Sequence, residues 1–175
     1  MRLPRFEYLE PKNIKEVSSL LSEKREGAVI IAGGTDILIK MKQRVVTPKY
    51  LVNLKHVEHM RGIEFDETKG LRIGALVTLE DLSKSLPVKE SFSALSQAAG
   101  RVASPQIRNM GTIGGNICLD SMCWYYNQSH QWRKSRTPCL KRGGDRCYVA
   151  KGAKHCCALF QADTPPALIA LGAKV

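Results

Sequence analysis

The chain of 175 residues is long enough to bury a core and admits one domain or two small lobes. With 43% hydrophobic and 25% charged residues it reads as a soluble globular protein, not a disordered or collagen-like chain. No apolar run reaches the roughly 20 residues needed to cross a bilayer, and residues 1–7 lack the apolar core of a secretory signal, so a cytoplasmic protein is expected.

The net charge of +11 is unevenly spread. Residues 121–157 carry eight basic side chains (Arg133, Lys134, Arg136, Lys141, Arg142, Arg146, Lys151, Lys154) against one acid, Asp145, a local excess of +7. Such an excess fits an acidic protein partner, a nucleic acid, compensation of a buried anion such as a thiolate-ligated cluster, or a solvated loop. The same stretch holds five of the six cysteines. Without an export signal they argue against a disulfide framework, because the cytosol keeps thiols reduced, and metal ligation becomes the leading reading.

In chain order, Asn13-Ile-Lys-Glu16 has the form of a capping box, and Ile14, Val17, Leu20 and Leu21 repeat at helical spacing until Gly27, predicting a helix over 14–24. The apolar run 28–32 reads as a buried strand leading into Gly33-Gly34-Thr35-Asp36. Ile37, Met41 and Val45 predict a short helix that ends before Pro48, and 50–54 reads as another strand. This first lobe is therefore β and α elements around a small sheet, with a boundary near 55–60.

Beyond the boundary, 63–65 and 71–76 flank a polar turn ending in Gly70 and predict a hairpin. Thr78-Leu-Glu-Asp81 opens a short helix to about 84, and 91–102 predicts a longer one that Pro105 closes. Gly111-Thr-Ile-Gly-Gly-Asn116 has too many glycines for a helix interior. From 121 to 154 no periodicity persists, and so long a loop inside a compact domain needs something to hold it, a role a metal would fill. Pro165-Pro166 opens a short helix over 167–171, and 173–175 reads as the start of a strand, so a further C-terminal part is expected beyond this chain.

The two glycine motifs share one chemistry. A Gly-Gly-Thr turn after a buried strand brings several backbone N–H groups and a hydroxyl toward one point, which suits a pyrophosphate. Neither motif fits the Rossmann or P-loop pattern, and each alone also reads as a plain tight turn. Recurrence strengthens the cofactor reading, with two donor-rich turns gripping a dinucleotide from two sides.

Ile31-Ala-Gly-Gly-Thr-Asp-Ile-Leu38, Arg108-Asn-Met-Gly-Thr-Ile-Gly-Gly-Asn116 and Asp163-Thr-Pro-Pro-Ala-Leu168, in this order, strongly resemble the FAD-binding subunits of the molybdenum hydroxylases, the xanthine oxidase and carbon monoxide dehydrogenase family. The resemblance runs from Phe6 to Val175 and implies a two-lobed α+β FAD-binding fold. Residues 1–56 would form the first lobe and 57–175 the second, with a cysteine-rich insertion at 121–157 and the family's C-terminal domain expected to be missing. Val29, Ile30, Ile31, Ala32, Gly33, Gly34, Thr35 and Asp36 would then wrap the FAD pyrophosphate. Gly111, Thr112, Gly114, Gly115 and Asn116 would hold its second side, Asp163 would bind near the adenosine or ribityl hydroxyls, and Val102 would pack near the flavin.

Cys123, Cys139, Cys147 and Cys156 are separated by 16, 8 and 9 positions, with Cys118 and Cys157 as extras. No Cys-x2–4-Cys knuckle exists, and ferredoxin spacing is absent, so spacing alone leaves an iron–sulfur cluster, zinc and unligated thiols all open. The insertion resembles that of the β subunits of 4-hydroxybenzoyl-CoA reductases, which implies a [4Fe–4S] cluster on Cys123, Cys139, Cys147 and Cys156. Cys157 could substitute for Cys156, and Cys118 reads as a small buried residue. Trp124, Tyr125, Tyr126 and Trp132 are expected to pack over the cluster, and His130 and His155 read as solvated.

The resemblance implies an oxidoreductase subunit in a hetero-oligomer with a molybdenum-cofactor subunit and a [2Fe–2S] subunit, exchanging electrons with a ferredoxin-like donor, with no nucleic acid and no membrane span. The assembly would reduce 4-hydroxybenzoyl-CoA. Two alternatives are the flavin subunit of an aldehyde- or N-heterocycle-oxidising molybdenum hydroxylase and, from another class, a zinc-stabilised basic nucleic-acid-binding module.

Overall fold

A computed structural model describes residues 2–175. The first lobe runs β1 (Glu7–Leu9), α1 (Ile14–Lys24), β2 (Ala28–Ile31), α2 (Ile37–Lys42) and β3 (Tyr50–Asn53). Its strands make a three-stranded parallel sheet ordered β1-β3-β2, with Tyr50 opposite both Glu7 and Ala28. β3 is central, and Leu51, Val52 and Asn53 are buried as a central strand requires. β1 is only three residues long, too short to show an alternation in the sequence.

α1 begins as its capping box predicts: Asn13 Oδ1 accepts the Glu16 N–H (3.0 Å), and the Glu16 carboxylate accepts the Lys12 N–H (2.8 Å). It ends at Lys24, as predicted, where Arg25 takes a positive φ of 44° and a 3-10 turn, Arg25–Gly27, follows. α2 closes with a Schellman motif: the Val45 N–H reaches Lys40 O (2.8 Å), the Arg44 N–H reaches Met41 O (3.1 Å), and Arg44 has φ 55°. Ile31, Met41 and Leu51 are the buried core here, covered by Leu3, Phe6, Ile37, Leu38 and Val46.

The second lobe starts with an antiparallel hairpin, β4 (Ile63–Asp66) and β5 (Gly70–Ile73), as expected. Then come α3 (Leu79–Lys84), α4 (Leu86–Ser91), α5 (Ser93–Gly100), α6 (Pro105–Arg108) and α7 (Ile113–Ile117), with α8 (His130–Lys134) and α9 (Pro165–Ala170) later. Thr78 Oγ1 caps α3 by accepting the Asp81 N–H at 3.0 Å. The single helix predicted over 91–102 is split at Phe92, whose φ of −135° and ψ of 47° are not helical. Pro105 opens α6 after the cap Ser104, where its missing N–H costs nothing. Gly114 and Gly115 lie within a helix after all: a Cβ on Gly114 would sit 2.7 Å from Ala75 O, so tertiary contact requires the glycine there. Val77, Leu79, Leu82, Val88, Leu95, Ala99, Val102 and Ile113 form the core, with Leu168 of α9 packed against it. Residues 173–175 form no strand.

The insertion is closed at its base by a two-way bridge, Met122 N–H to Leu159 O (2.8 Å) and Leu159 N–H to Met122 O (3.1 Å). Inside it are α8, a 3-10 turn Leu140–Arg142 and a bridge between Cys139 and Arg146. Arg133 is the only buried residue between 121 and 157, so this stretch has no hydrophobic core of its own. Among the described residues, no helix is long and apolar enough to cross a membrane.

Candidate functional site

β2 delivers Gly33-Gly34-Thr35-Asp36 to the start of α2, and Gly34 turns the chain with φ 80°. Among the described residues, the N–H groups of Gly33, Gly34, Thr35 and Asp36 have no protein acceptor. Four adjacent N–H groups without protein acceptors are available to phosphate oxygens. The second glycine turn packs directly on the first. A Cβ on Gly33 would overlap the Met110 carbonyl and lie 3.0 Å from Gly111 Cα, and a Cβ on Gly111 would lie 3.5 Å from Thr35 Oγ1.

The second turn differs from the donor-rich cradle expected of it. Its Ile113, Gly114, Gly115 and Asn116 N–H groups go to Val77 O (2.9 Å), Ala75 O (2.9 Å), Thr112 Oγ1 (3.1 Å) and Thr112 O (2.9 Å). It is therefore a rigid wall against the first turn, held also by Leu79 N–H to Gly111 O at 2.9 Å.

Asn116, 7% exposed, accepts at Oδ1 both the Thr164 N–H (3.2 Å) and the fully buried Thr164 hydroxyl (2.6 Å). This pair brings the segment carrying the exposed Asp163 to the second turn. Lys40 is buried and pairs with Asp36 at 2.8 Å, which neutralises the one carboxylate in the first turn. Val29 and Ile30 lie on β2 before the turn. Val102 is buried in the second-lobe core, so its side chain serves packing.

Cys123, Cys139, Cys147 and Cys156 all line one pocket, partly open to solvent, with Tyr125, Lys141 and Tyr148. Their sulfurs meet backbone donors: Tyr126 N–H to Cys123 Sγ (3.3 Å) and Ala158 N–H to Cys156 Sγ (3.5 Å). The N–H groups of Ala150, Cys157 and Val149 hold the Cys147 thiol below its usual pKa, favouring thiolate. Cys157 lies outside that lining, and burial followed by its hydrogen bond with Cys147 pushes its thiol up. Cys118 is exposed at the end of α7, not a buried residue as expected. Among the described residues, no three His, Cys, Asp or Glu side chains converge on one metal-ion position.

A second, more open pocket adjoins the first, shares Tyr125, Cys139 and Tyr148 with it, and is lined by Arg133, Arg136 and Arg142. Burial, then the Arg142 charge, pushes the Arg133 guanidinium below its ordinary pKa. Of the aromatic residues expected over the pocket, Tyr125 lines it and stacks on Tyr148 at 5.4 Å, whereas Trp124 is 66% exposed.

Residues 4–175 match the family described as the FAD binding domain in molybdopterin dehydrogenase. The chain belongs to this family. Among relatives of the flavin domain, the carbon monoxide dehydrogenase medium chain of Hydrogenophaga pseudoflava is 40% identical over 65% of this chain and 39% of its own length. The aldehyde oxidoreductase FAD-binding subunit of Escherichia coli is 35% identical over 82% of this chain and 43% of its own. The solved carbon monoxide dehydrogenase from Hydrogenophaga pseudoflava that lacks the Mo-pyranopterin moiety superposes with a TM-score of 0.64 at 38% identity, covering 67% of this chain and 40% of that one. The present chain thus spans about two fifths of the length of the relatives it matches. The α+β FAD-binding fold expected from the motifs is the fold found, and the relatives are, as expected, dehydrogenase and oxidoreductase subunits.

The flavin domain's first turn fits FAD on two observations: four N–H groups without protein acceptors, and a neighbouring carboxylate already neutralised by Lys40. The thiol pocket fits an iron–sulfur centre on its donor set of four cysteines and the N–H groups aimed at their sulfurs. Lys40 was given no role in the sequence analysis, although its four-residue spacing from Asp36 is a local signal. Arg133 and Lys141 stood there only as part of the basic excess and Thr164 only as part of a motif; their individual partners come from the fold.

Proposed function

We propose that this chain is the flavin and iron–sulfur electron-transfer part of a cytoplasmic molybdenum enzyme, 4-hydroxybenzoyl-CoA reductase. The observation that carries the reading is the single pocket lined by Cys123, Cys139, Cys147 and Cys156, the four cysteines singled out by resemblance. Four cysteines lining one pocket are the donor set that a [4Fe–4S] centre takes, and that shared lining is what supports the cluster reading.

Gly33, Gly34, Thr35 and Asp36 would bind the FAD pyrophosphate through their N–H groups, with Thr112, Asn116 and Asp163 on the second side. Bound FAD exchanges one or two electrons, which suits a relay between a one-electron donor and a two-electron reaction. A ferredoxin-like donor would meet the basic insertion, and electrons would pass to [2Fe–2S] and molybdenum centres on partner subunits. The overall reaction takes up two electrons and two protons, breaks the phenolic C–O bond of 4-hydroxybenzoyl-CoA and releases water and benzoyl-CoA.

One observation favours a second reading, the flavin subunit of an aldehyde-oxidising enzyme: the Escherichia coli aldehyde oxidoreductase match covers 82% of the chain against 65% for carbon monoxide dehydrogenase. The family match over 4–175 supports both readings over the zinc-stabilised nucleic-acid module. The assembled complex should contain FAD, iron and acid-labile sulfide, and should consume 4-hydroxybenzoyl-CoA with a low-potential donor. Turnover of aromatic aldehydes alone would replace the first reading with the second, and zinc without iron would sink both.

A further inference from the structure

The cysteine insertion is tied to the flavin domain by two cations that have different partners. Arg133 on α8 is 5% exposed and has no carboxylate partner among the described residues. Its guanidinium donates to Gln128 O inside the insertion, and to Arg44 O (2.6 Å) and Gln43 O (3.4 Å) on the first lobe. Those two carbonyls lie just past α2, on its C-cap Gln43 and the following Arg44, at the end where the helix leaves carbonyls without N–H partners. The left-handed Arg44 leaves its carbonyl open to the guanidinium. At the other end of the same six-residue helix lies the Gly33 to Asp36 turn.

Lys141 makes the second tie. Its Nζ donates to Ser121 O (2.7 Å), Ser121 Oγ (2.7 Å) and Asp120 Oδ1 (2.8 Å), which engages all three ammonium hydrogens. Asp120 and Ser121 follow α7, the helix of the second glycine turn, and Lys141 itself lines the thiol pocket. Arg133 therefore ties the insertion to the chain just after α2, and Lys141 ties it to its own base and to Asp120, three residues past α7.

We propose that Arg133 and Lys141 are positioning residues that hold the thiol pocket in fixed geometry against the two flavin turns. The inference rests on the flavin and iron–sulfur reading above. Stability alone does not account for Arg133: a buried guanidinium is costly, and an apolar side chain of similar volume is often as stabilising. What the planar fork adds is direction, because its donors join Gln128 to Gln43 and Arg44, segments more than 80 positions apart in sequence. Electron transfer depends steeply on separation, so that geometry is where the selection would fall.

The test uses the assembled complex carrying Arg133→Met, Arg133→Lys or Lys141→Met. FAD and iron content should stay at wild-type stoichiometry. Amide exchange at 43–45 and within 121–157 should accelerate about tenfold in Arg133→Met, and the flavin radical's spin relaxation by the reduced cluster should weaken. Arg133→Lys should recover part of both effects, since an ammonium can still serve one carbonyl. Lys141→Met should loosen 120–122 and leave 43–45 protected. Unchanged relaxation and exchange in Arg133→Met would overturn the proposal, and so would lowered thermal stability with unchanged relaxation. If Arg133→Met does not fold, Arg133→Lys decides by the same two readouts. Iron missing from the wild-type complex would overturn the functional reading alone, and exchange at 43–45 would still decide whether Arg133 makes the tie.

Discussion

Gly33 is where the two halves of the flavin site meet, and it has room for hydrogen only. A methyl there would collide with the Met110 carbonyl, which belongs to backbone that cannot swing aside. Gly33→Ala must push the second turn away from the first, at a cost of about 1–3 kcal/mol. Bound FAD per protein after gel filtration should fall accordingly, while the iron signal persists. At Gly34 the limit is different: φ is 80°, and a Cβ would press on Leu38 Cδ1 (3.2 Å) and Ile31 Cδ1 (3.3 Å), so a β-branched residue there strains the turn itself. Among the thiols, Cys139→Ser should abolish the cluster's absorbance and iron while flavin stays. Cys157→Ser should keep both, because Cys157 lies outside the pocket lining and its thiol is held protonated.

The helices around the second turn are held by charge as well as by packing. Glu80 on α3 pairs with Lys84 (2.9 Å) and with Arg108 (3.0 Å), the last residue of α6, and Arg108 also reaches Val102 O (3.1 Å). Lys84 and then Arg108 hold the Glu80 carboxyl below its ordinary value of 4.5. The unfolded chain therefore takes up this proton more readily than the folded one. The stabilisation is complete above pH 4.5 and is lost as pH falls through the depressed folded value. Denaturant midpoints between pH 6 and pH 3 should drop less steeply in Glu80→Gln than in the wild type, and parallel curves would show that Glu80 contributes no proton linkage.

Across the whole molecule, the two lobes have their own apolar clusters and the insertion has none. Its order in this structure rests on backbone hydrogen bonds such as the Met122–Leu159 bridge, on the aromatic cluster of Trp124, Tyr125, Trp132 and Tyr148, and on the Arg133 and Lys141 ties. Removing iron with a chelator under oxidising conditions should open 121–157 to limited proteolysis and leave the flavin domain intact and yellow. Equal resistance before and after iron loss would mean that the polypeptide alone orders the insertion.

Features set by local chemistry were legible in the sequence. The α1 capping box, the β4–β5 hairpin and the Thr78 cap depend on residues a few positions apart, and each formed where its motif stood. The glycine turns likewise announced a phosphate-bearing cofactor, in keeping with the FAD binding domain match, and the four cysteines grouped by resemblance do line one pocket. Distant contacts decided the rest. Gly114 and Gly115 are helical because Ala75 closes on that segment, and the second turn's donors are consumed by Ala75 and Val77. Arg133 looks like any loop arginine until the fold brings the end of α2 to it. The sequence by itself determined which chemical groups this protein offers a cofactor; only the tertiary structure decided which N–H groups stay free and what ties the cysteine insertion to the first lobe, because both depend on hydrogen-bond partners far away in the chain.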